Sequence, residues 1–199
     1  MKNIYVCEIV ATRLSHDLIG NIGAVANAVE LLHEGDDEDK ADILPILDFS
    51  STVLSRRLKF FRLCFGLSNS SVKNMTDLQE IIQDYLLTLG NPNYPIRLSL
   101  KIETPQIYKL IMPAIMMMAD VLVKGGEVLV EQKLHGLHIS ALSEVPLNQS
   151  KLQNIDLVLS GQEIEENPST YAPLYYLLDY LSGQNVPVSR KNNTLVIGE

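Results

Sequence analysis

The sequence has few cysteines and no long uninterrupted apolar run, and each shortage excludes a class of protein. Cys7 and Cys64 are the only cysteines in 199 residues, and tryptophan is absent. Two cysteines do not suggest a disulfide framework and fit a reducing cytosol. The N-terminal residues MKNIYVCEIVATRLSHD lack the apolar core of a signal peptide. The longest apolar run, residues 110–123, contains Pro113 and Asp120 and is too short to span a bilayer. We therefore predict a soluble, cytoplasmic protein.

Positive charge is also in deficit. The chain has 16 Lys and Arg residues against 24 Asp and Glu residues, which gives a formal net charge of −8. With a pI of about 5.0, it has little non-specific affinity for nucleic acid or for an anionic membrane, so neither is expected as a partner. Its apolar share of 46% is sufficient for a packed core in one ordinary domain or two small ones.

Residues 1–68 predict a helical hairpin. Small and apolar residues recur at spacings of three and four along the first helix: Ile4, Cys7, Ala11, Leu14, Leu18, Ile22, Val25, Val29 and Leu32. The polar tract HEGDDEDK, residues 33–40, then predicts a loop. A second helical pattern places these residues near one face: Leu47, Leu54, Leu58, Phe61 and Phe65. It stops at Gly66 and the tract SNSS. Because two helices cannot enclose a core, we expect a homodimer in which two copies form a four-helix bundle.

Residues 69–199 predict a second domain that mixes helices and strands. A T-x-x-Q capping pattern at Thr76 predicts a helix to about Leu89, and the apolar stretch 106–123 predicts a buried helix with a kink at Pro113. Shorter helices are expected at 150–159 and 170–181. Alternating patterns predict strands at IRLSLKI, EVLVEQK and HGLHISAL, and a hairpin turn at Asn192–Asn193. Helices over one face of a mixed sheet give an α/β sandwich, so the predicted fold class is α+β.

His16 lies on the face of the first predicted helix that is opposite to its apolar seam. Leu14 and Leu18 point almost directly away from it. Its own face carries Arg13, Gly20, Gly23, Asn27 and Glu30. Two glycines inside a helix cost about 1 kcal/mol each relative to alanine, so their presence indicates that another backbone approaches closely. The pattern is typical of a docking face with a nucleophile at its centre.

Phosphoryl transfer is a chemistry that suits this face. An imidazole is mostly neutral at pH 7 and can attack phosphorus when one tautomer is held in place. Asp17 can accept a hydrogen bond from one ring nitrogen of His16, and Arg13, one turn earlier, can contact phosphate oxygens. A basic cluster of the second helix lies level with His16 if the loop centres near Glu38: Arg56, Arg57, Lys59 and Arg62. From the residues alone, an incidental surface histidine and a solvated basic helix face stay open as interpretations.

Residues 11–32, ATRLSHDLIGNIGAVANAVELL, resemble the phosphoacceptor box of ChpT-type histidine phosphotransferases. The matching positions are Arg13, Leu14, His16, Asp17, Leu18, Ile19, Gly23, Ala24, Asn27, Glu30, Leu31 and Leu32. The resemblance implies a phosphorylated His16, a homodimeric four-helix bundle, and a second domain that is a degenerate histidine-kinase ATPase domain. It also implies the partners, which are the receiver domain of a hybrid histidine kinase and the receivers of response regulators.

Three residues near His16 depart from the family pattern, and one of them is Ser15, where the family has Cys. Gly20 stands where the family has Ser, and Asn21 stands where it has Pro. The loss of the proline leaves the helix straighter. Histidine kinases with phosphatase activity often place a Thr or Asn four residues after the histidine, where it orients a water molecule. Gly20 cannot do this, so we predict weak phosphatase activity.

The boxes of an ATP-dependent histidine kinase are missing. Such a kinase needs an Asn for Mg²⁺, expected near Met118, and a D-x-G-x-G turn for adenine, and the sequence contains neither. Asp120 and Asn148 are the only polar candidates nearby. The other histidines are His33, His135 and His138, and none has a cysteine or carboxylate cluster at metal-ligand spacing. We expect no bound metal or cofactor, with Mg²⁺ supplied by the partner receiver domain. The alternatives to a phosphotransferase are a non-catalytic dimeric adaptor that binds receivers and an autophosphorylating histidine kinase.

Overall fold

Two long helices open the chain and form an antiparallel hairpin. The computed structural model describes residues 4–34, 37–67, 72 and 74–198. Helix α1 spans Ile4–Glu34 and helix α2 spans Asp37–Phe65. The predicted loop at 33–40 was therefore wrong for most of its length, since an acidic run is well suited to the first turn of a helix. The predicted linker SNSS at 68–71, and with it the domain boundary between 68 and 69, lies outside the described residues.

One side of the hairpin is covered by the rest of the chain. The residues that are buried there differ in part from the predicted apolar seam. In α1 the buried residues are Val6, Ile9 and Ala28. Near the end of α2 they are Phe60, Phe61, Leu63 and Cys64. The predicted seam residues Ile4, Ile22 and Leu58 are exposed instead. Helical periodicity predicted that each helix has an apolar stripe. It did not predict which residues of the stripe residues 74–198 would cover.

Four helices and five strands follow the hairpin in the described residues. The helices are α3 (Met75–Leu87), α4 (Tyr108–Ala119), α5 (Gln149–Leu159) and α6 (Ala172–Leu181). The strands are β1 (Ile96–Lys101), β2 (Gly126–Lys133), β3 (Gly136–Leu142), β4 (Val188–Lys191) and β5 (Thr194–Ile197). Every helix and strand predicted after residue 69 is therefore present, although several helix boundaries differ.

The boundaries of α3 and α4 correct the prediction. The cap of α3 is Asn74, whose side chain accepts a hydrogen bond from the backbone N–H of Asp77, so the helix begins before Thr76. Helix α4 ends at Ala119, short of the predicted residue 123, and a 3₁₀ turn at Pro105–Ile107 precedes it. Apolar residues in a sequence indicate which part of a helix is buried. They do not indicate the hydrogen bonds at which the helix begins or ends.

The strands form one mixed sheet in the order β1-β2-β3-β5-β4. The β1–β2 pair is parallel, and the other pairs are antiparallel. Asn192, with φ of 56°, forms the turn between β4 and β5, as the sequence predicted. Helix α4 packs on β2, β3 and β5 and is buried from Ile111 to Ala119.

The hairpin end that contains Leu14, Leu18 and Phe60 shares one hydrophobic core with residues 74–198, which we call the α/β part. Phe60 of α2 stacks on Tyr85 of α3 with 3.8 Å between ring centroids. Leu14 and Leu18 of α1 pack against the same core. The α+β fold class is confirmed, and the shared core holds the His16 turn of α1 beside the α/β part. Among the described residues, no helix has both the length and the apolar character that crossing a membrane requires.

Candidate functional site

His16 projects from α1 into solvent. Its side chain is 84% exposed, whereas Leu14 and Leu18, two residues to either side, are partly buried in the core. This is the placement that the helical periodicity predicted. Helix α1 is anchored through its apolar stripe, so the imidazole stands on a fixed backbone while its ring remains accessible to another protein.

Asp17 lies next to the imidazole. Its Oδ1 atom is 3.6 Å from Nδ1 of His16, and its side chain is only 15% exposed. The second carboxylate oxygen, Oδ2, accepts a hydrogen bond of 2.7 Å from Nε of Arg13. A carboxylate that is held on one side by a guanidinium has little freedom to rotate. Its other oxygen is therefore directed at the imidazole, within reach of a hydrogen bond after a small ring movement.

Arg13 connects α1 to the α/β part. Besides Asp17, its guanidinium donates to the backbone carbonyl of Thr170 at 3.0 Å, and its Nη2 lies 2.9 Å from Oδ2 of Asp120. Burial alone would lower the pKa of Arg13, but the charges of Asp120 and Asp17 raise it above its ordinary value. The side chain is 12% exposed. The sequence predicted that Arg13 contacts phosphate oxygens, whereas the structure shows it bound to three acceptors within the protein.

Asp120 is the acidic partner of Arg13, a role that no sequence motif indicates. It follows the last residue of α4 and its side chain is 11% exposed. Burial raises the pKa of Asp120, and the nearby charges of Arg13 and Lys151 oppose this rise without cancelling it. A signal was present in the sequence, because an acidic residue at the end of a fully apolar stretch requires a buried partner. Nothing local indicated that this partner is Arg13.

A cavity of about 260 Å³ opens between α1 and the α/β part, beside His16. Its lining consists of Arg13, His16, Asp17, Asp120, Lys151, Asn167, Ser169 and Thr170. The 167–170 segment is held in place by side chains, since Asn167 accepts from the backbone N–H of Ser169 at 3.0 Å. Tyr171, the next residue, donates to Glu166 at 2.8 Å and accepts from Asn154 at 2.9 Å. This part of the cavity wall is therefore held in place by hydrogen bonds within the chain.

The basic cluster of α2 divides between different partners. Arg57 donates to the backbone carbonyl of Asp17, and its other donors bind the hydroxyl and carbonyl oxygens of Thr88. Arg56 lies 3.4 Å from Asp84 on α3. Lys59 is exposed. Arg57 thus reaches the His16 turn, where it binds the backbone of α1.

The predicted docking face is open. A Cβ atom added to Gly20 or Gly23 would meet nothing within 4 Å, and Asn27 and Glu30 are exposed. No packing within this chain therefore requires glycine at either position. The expectation that these residues contact a partner remains a prediction.

The residues compared with the nucleotide-binding positions of a kinase have structural contacts in this fold. Met118, at the position expected for the Mg²⁺-binding Asn, is completely buried, as are Met112, Met116 and Met117. Asn148 caps α5 by accepting from the backbone N–H of Lys151. Among the described residues, no group of three or more His, Cys, Asp or Glu side chains could hold a metal ion.

The fold has a counterpart among solved structures. A bacterial phosphotransferase matches 99% of this chain and 96% of its own chain with a TM-score of 0.68 and 21% sequence identity. At that identity, the comparison establishes the fold.

By sequence, the chain is similar to the protein phosphotransferase ChpT of Brucella abortus (strain 2308), with 32% identity over 79 residues. The alignment covers 39% of this chain and 37% of that protein. No protein-family model matches the chain. The resemblance to ChpT-type phosphotransferases is confirmed.

Proposed function

We propose that this chain is a histidine phosphotransferase in which His16 carries a phosphoryl group between the aspartates of receiver domains. The observation that carries the proposal is the exposed imidazole on a fixed helix, with the carboxylate of Asp17 at 3.6 Å. The similarity to a protein named phosphotransferase supports the same chemistry.

The geometry suggests which nitrogen reacts. Nδ1 of His16 faces Asp17, so Nε2 is the nitrogen that is directed at an incoming partner. Nε2 attacks the phosphorus of a receiver aspartyl phosphate. The bond between phosphorus and the aspartate oxygen breaks, and the carboxylate leaves with the bonding electrons. The proton stays on Nδ1, where Asp17 stabilises the positive charge that develops on the ring. Attack by the carboxylate of a second receiver on the phosphohistidine reverses these steps.

The receiver would dock on the open face of α1. Gly20 and Gly23 leave room for close approach, and Asn27 and Glu30 offer polar contacts. Mg²⁺ would come with the receiver, because both carboxylates near His16, Asp17 and Asp120, are already engaged by Arg13. Gly20 provides no side chain to orient a water molecule, so phosphatase activity should be weak. Rapid discharge of a phosphorylated receiver into free phosphate would contradict that part of the proposal.

A second copy of the chain would cover the exposed side of the hairpin. Large apolar side chains are exposed along both helices, among them Ile22 and Val29 on α1 and Leu44, Ile46 and Phe49 on α2. A surface of this kind on a helix pair is typical of an interface. A homodimeric four-helix bundle would bury it and would place two His16 residues on its outer faces.

The experiment compares wild type with His16→Gln. Each protein is mixed either with a phosphorylated receiver domain or with ATP and Mg²⁺, and acid-labile phosphate on the chain is measured. We expect label from the receiver alone and no label on the variant. Because His16 is 84% exposed, His16→Gln should change the unfolding free energy by less than about 0.5 kcal/mol, so loss of label would not reflect misfolding.

Two other results would assign a different function. Label from ATP would make the chain an autophosphorylating kinase. Absence of label in both mixtures, together with receiver binding, would make it a non-catalytic adaptor. The burial of Met118 and the capping role of Asn148 argue against the first of these.

A further inference from the structure

We propose that Lys151 contacts the phosphoryl oxygens when His16 carries the phosphoryl group. The inference rests on the proposed function and names a residue of the α/β part as a component of the transfer site. It begins from the cavity beside His16, where the side chains of α1 face those of α5 and the 167–170 segment.

Phosphorylated side chains carry about −1.5 to −2 charges at neutral pH. A phosphoryl group on His16 therefore needs positive charge nearby. Besides His16 itself, the basic residues that line the cavity are Arg13 and Lys151. Arg13 donates to Asp17, Asp120 and Thr170 and is 12% exposed. Turning the guanidinium toward a phosphoryl group would break the contacts that hold Asp17 in place. Arg13 is therefore better suited to hold Asp17 in position than to contact the phosphoryl oxygens.

The side chain of Lys151 can change its conformation more easily than that of Arg13. It is half-buried in the first turn of α5, and its backbone N–H is held by the side chain of Asn148 at 3.0 Å. Leu152 and Ile155 anchor α5 in the core. The ammonium group extends on a flexible four-carbon stem from a fixed backbone, so it can move within the cavity without disturbing the helix.

Lys151 and Asp120 line the same cavity. The positive charge of Lys151 acts on the buried carboxyl group of Asp120, whose ion-pair partner is Arg13. A dianionic phosphoryl group on His16 would compete with this singly charged, already paired carboxylate. The cavity, at about 260 Å³, has room for the group. Lys151 would then offset the charge on its oxygens both during transfer and in the phosphohistidine.

Phosphoramidate tests the contact without any partner protein. Attack of Nε2 of His16 on its phosphorus breaks the P–N bond, and the nitrogen takes up a proton and leaves as ammonia. The labelling rates of wild type, Lys151→Gln and Lys151→Arg are compared with that of Lys133→Gln. Lys133 is 51% exposed at the end of β2, so its substitution removes the same charge away from the cavity. We expect Lys151→Gln to be slowed about tenfold, with Lys151→Arg near wild type and Lys133→Gln unchanged.

Phosphorus-31 NMR provides a readout that a purely structural role would not move. A neighbouring ammonium group lowers the pKa of the phosphoryl group, so the phosphohistidine of Lys151→Gln should titrate at higher pH than that of wild type. The inference is overturned if Lys151→Gln is labelled at the wild-type rate, if Lys133→Gln is slowed equally, or if wild type takes no label at His16. Label from phosphoramidate without label from a phosphorylated receiver would instead overturn the proposed function alone.

Discussion

Arg13 of α1 lies 2.9 Å from Asp120 at the end of α4, although 107 residues separate them in sequence. Both side chains are nearly buried, at 12% and 11% exposure. The same guanidinium holds the carboxylate of Asp17, the neighbour of His16. The pair therefore joins the α/β part to the turn of α1 that carries the imidazole.

Arg13→Met should destabilise the protein strongly. The substitution leaves the carboxylates of Asp17 and Asp120 without their shared cation, and removal of one member of a buried ion pair costs about 3–5 kcal/mol. Urea unfolding measures the change, with Arg97→Met on the exposed side of β1 as the matched control. The control should fall within about 0.5 kcal/mol of wild type. Equal unfolding free energies for the two variants would show that the ion pair does not hold the hairpin to the α/β part.

Asp120→Asn should change how stability depends on pH. Burial raises the pKa of Asp120 in the folded state above its ordinary value of 3.8, so the folded state binds the proton more tightly than the unfolded state. The resulting stability is fully present below the unfolded pKa and is lost as pH rises through the folded pKa. The amide does not titrate. The unfolding free energy of wild type minus that of the variant should therefore decrease as pH rises above the ordinary pKa of 3.8. A difference that is constant or rises with pH in urea titrations would contradict this assignment.

Gly23→Ala should stabilise the chain while it impairs transfer. The added methyl group meets nothing within 4 Å in this chain, and alanine is favoured over glycine in a helix by about 1 kcal/mol. On the proposed docking face, the same methyl group would keep a receiver from approaching closely. Thermal unfolding and the rate of transfer from a phosphorylated receiver measure the two effects. An unchanged transfer rate in the stabilised variant would remove Gly23 from the docking face.

Phe49→Glu should weaken self-association. Phe49 is 69% exposed on α2, and burial of its ring between two hairpins would contribute to a four-helix bundle. Light scattering after size-exclusion chromatography, over a range of protein concentrations, measures the mass. Leu134→Glu is the matched control, because Leu134 is 91% exposed between β2 and β3, away from the hairpin. A wild-type protein that stays monomeric at all concentrations would refute the proposed dimer.

Most of the fold could be predicted because its signals are local. The apolar stretch around Met116 is buried as expected, and Asn192 forms the turn between the last two strands. Apart from the seam residues Ile22 and Leu58, which are exposed, the errors lie at helix ends. Asn74 rather than Thr76 caps α3, and the acidic tract after His33 continues into α2. At these positions several residues satisfy the same local preference, and packing selects among them.

The sequence by itself determined where His16 points. Spacings of three and four residues place Leu14 and Leu18 on the core side of α1 and the imidazole on the other, and a helix preserves that relation wherever it packs. Only the tertiary structure decided what surrounds the imidazole. The contact of Arg13 with Asp120 and the position of Lys151 in the cavity wall depend on how the α/β part packs against α1. Because such contacts join positions more than a hundred residues apart, no local pattern specifies them.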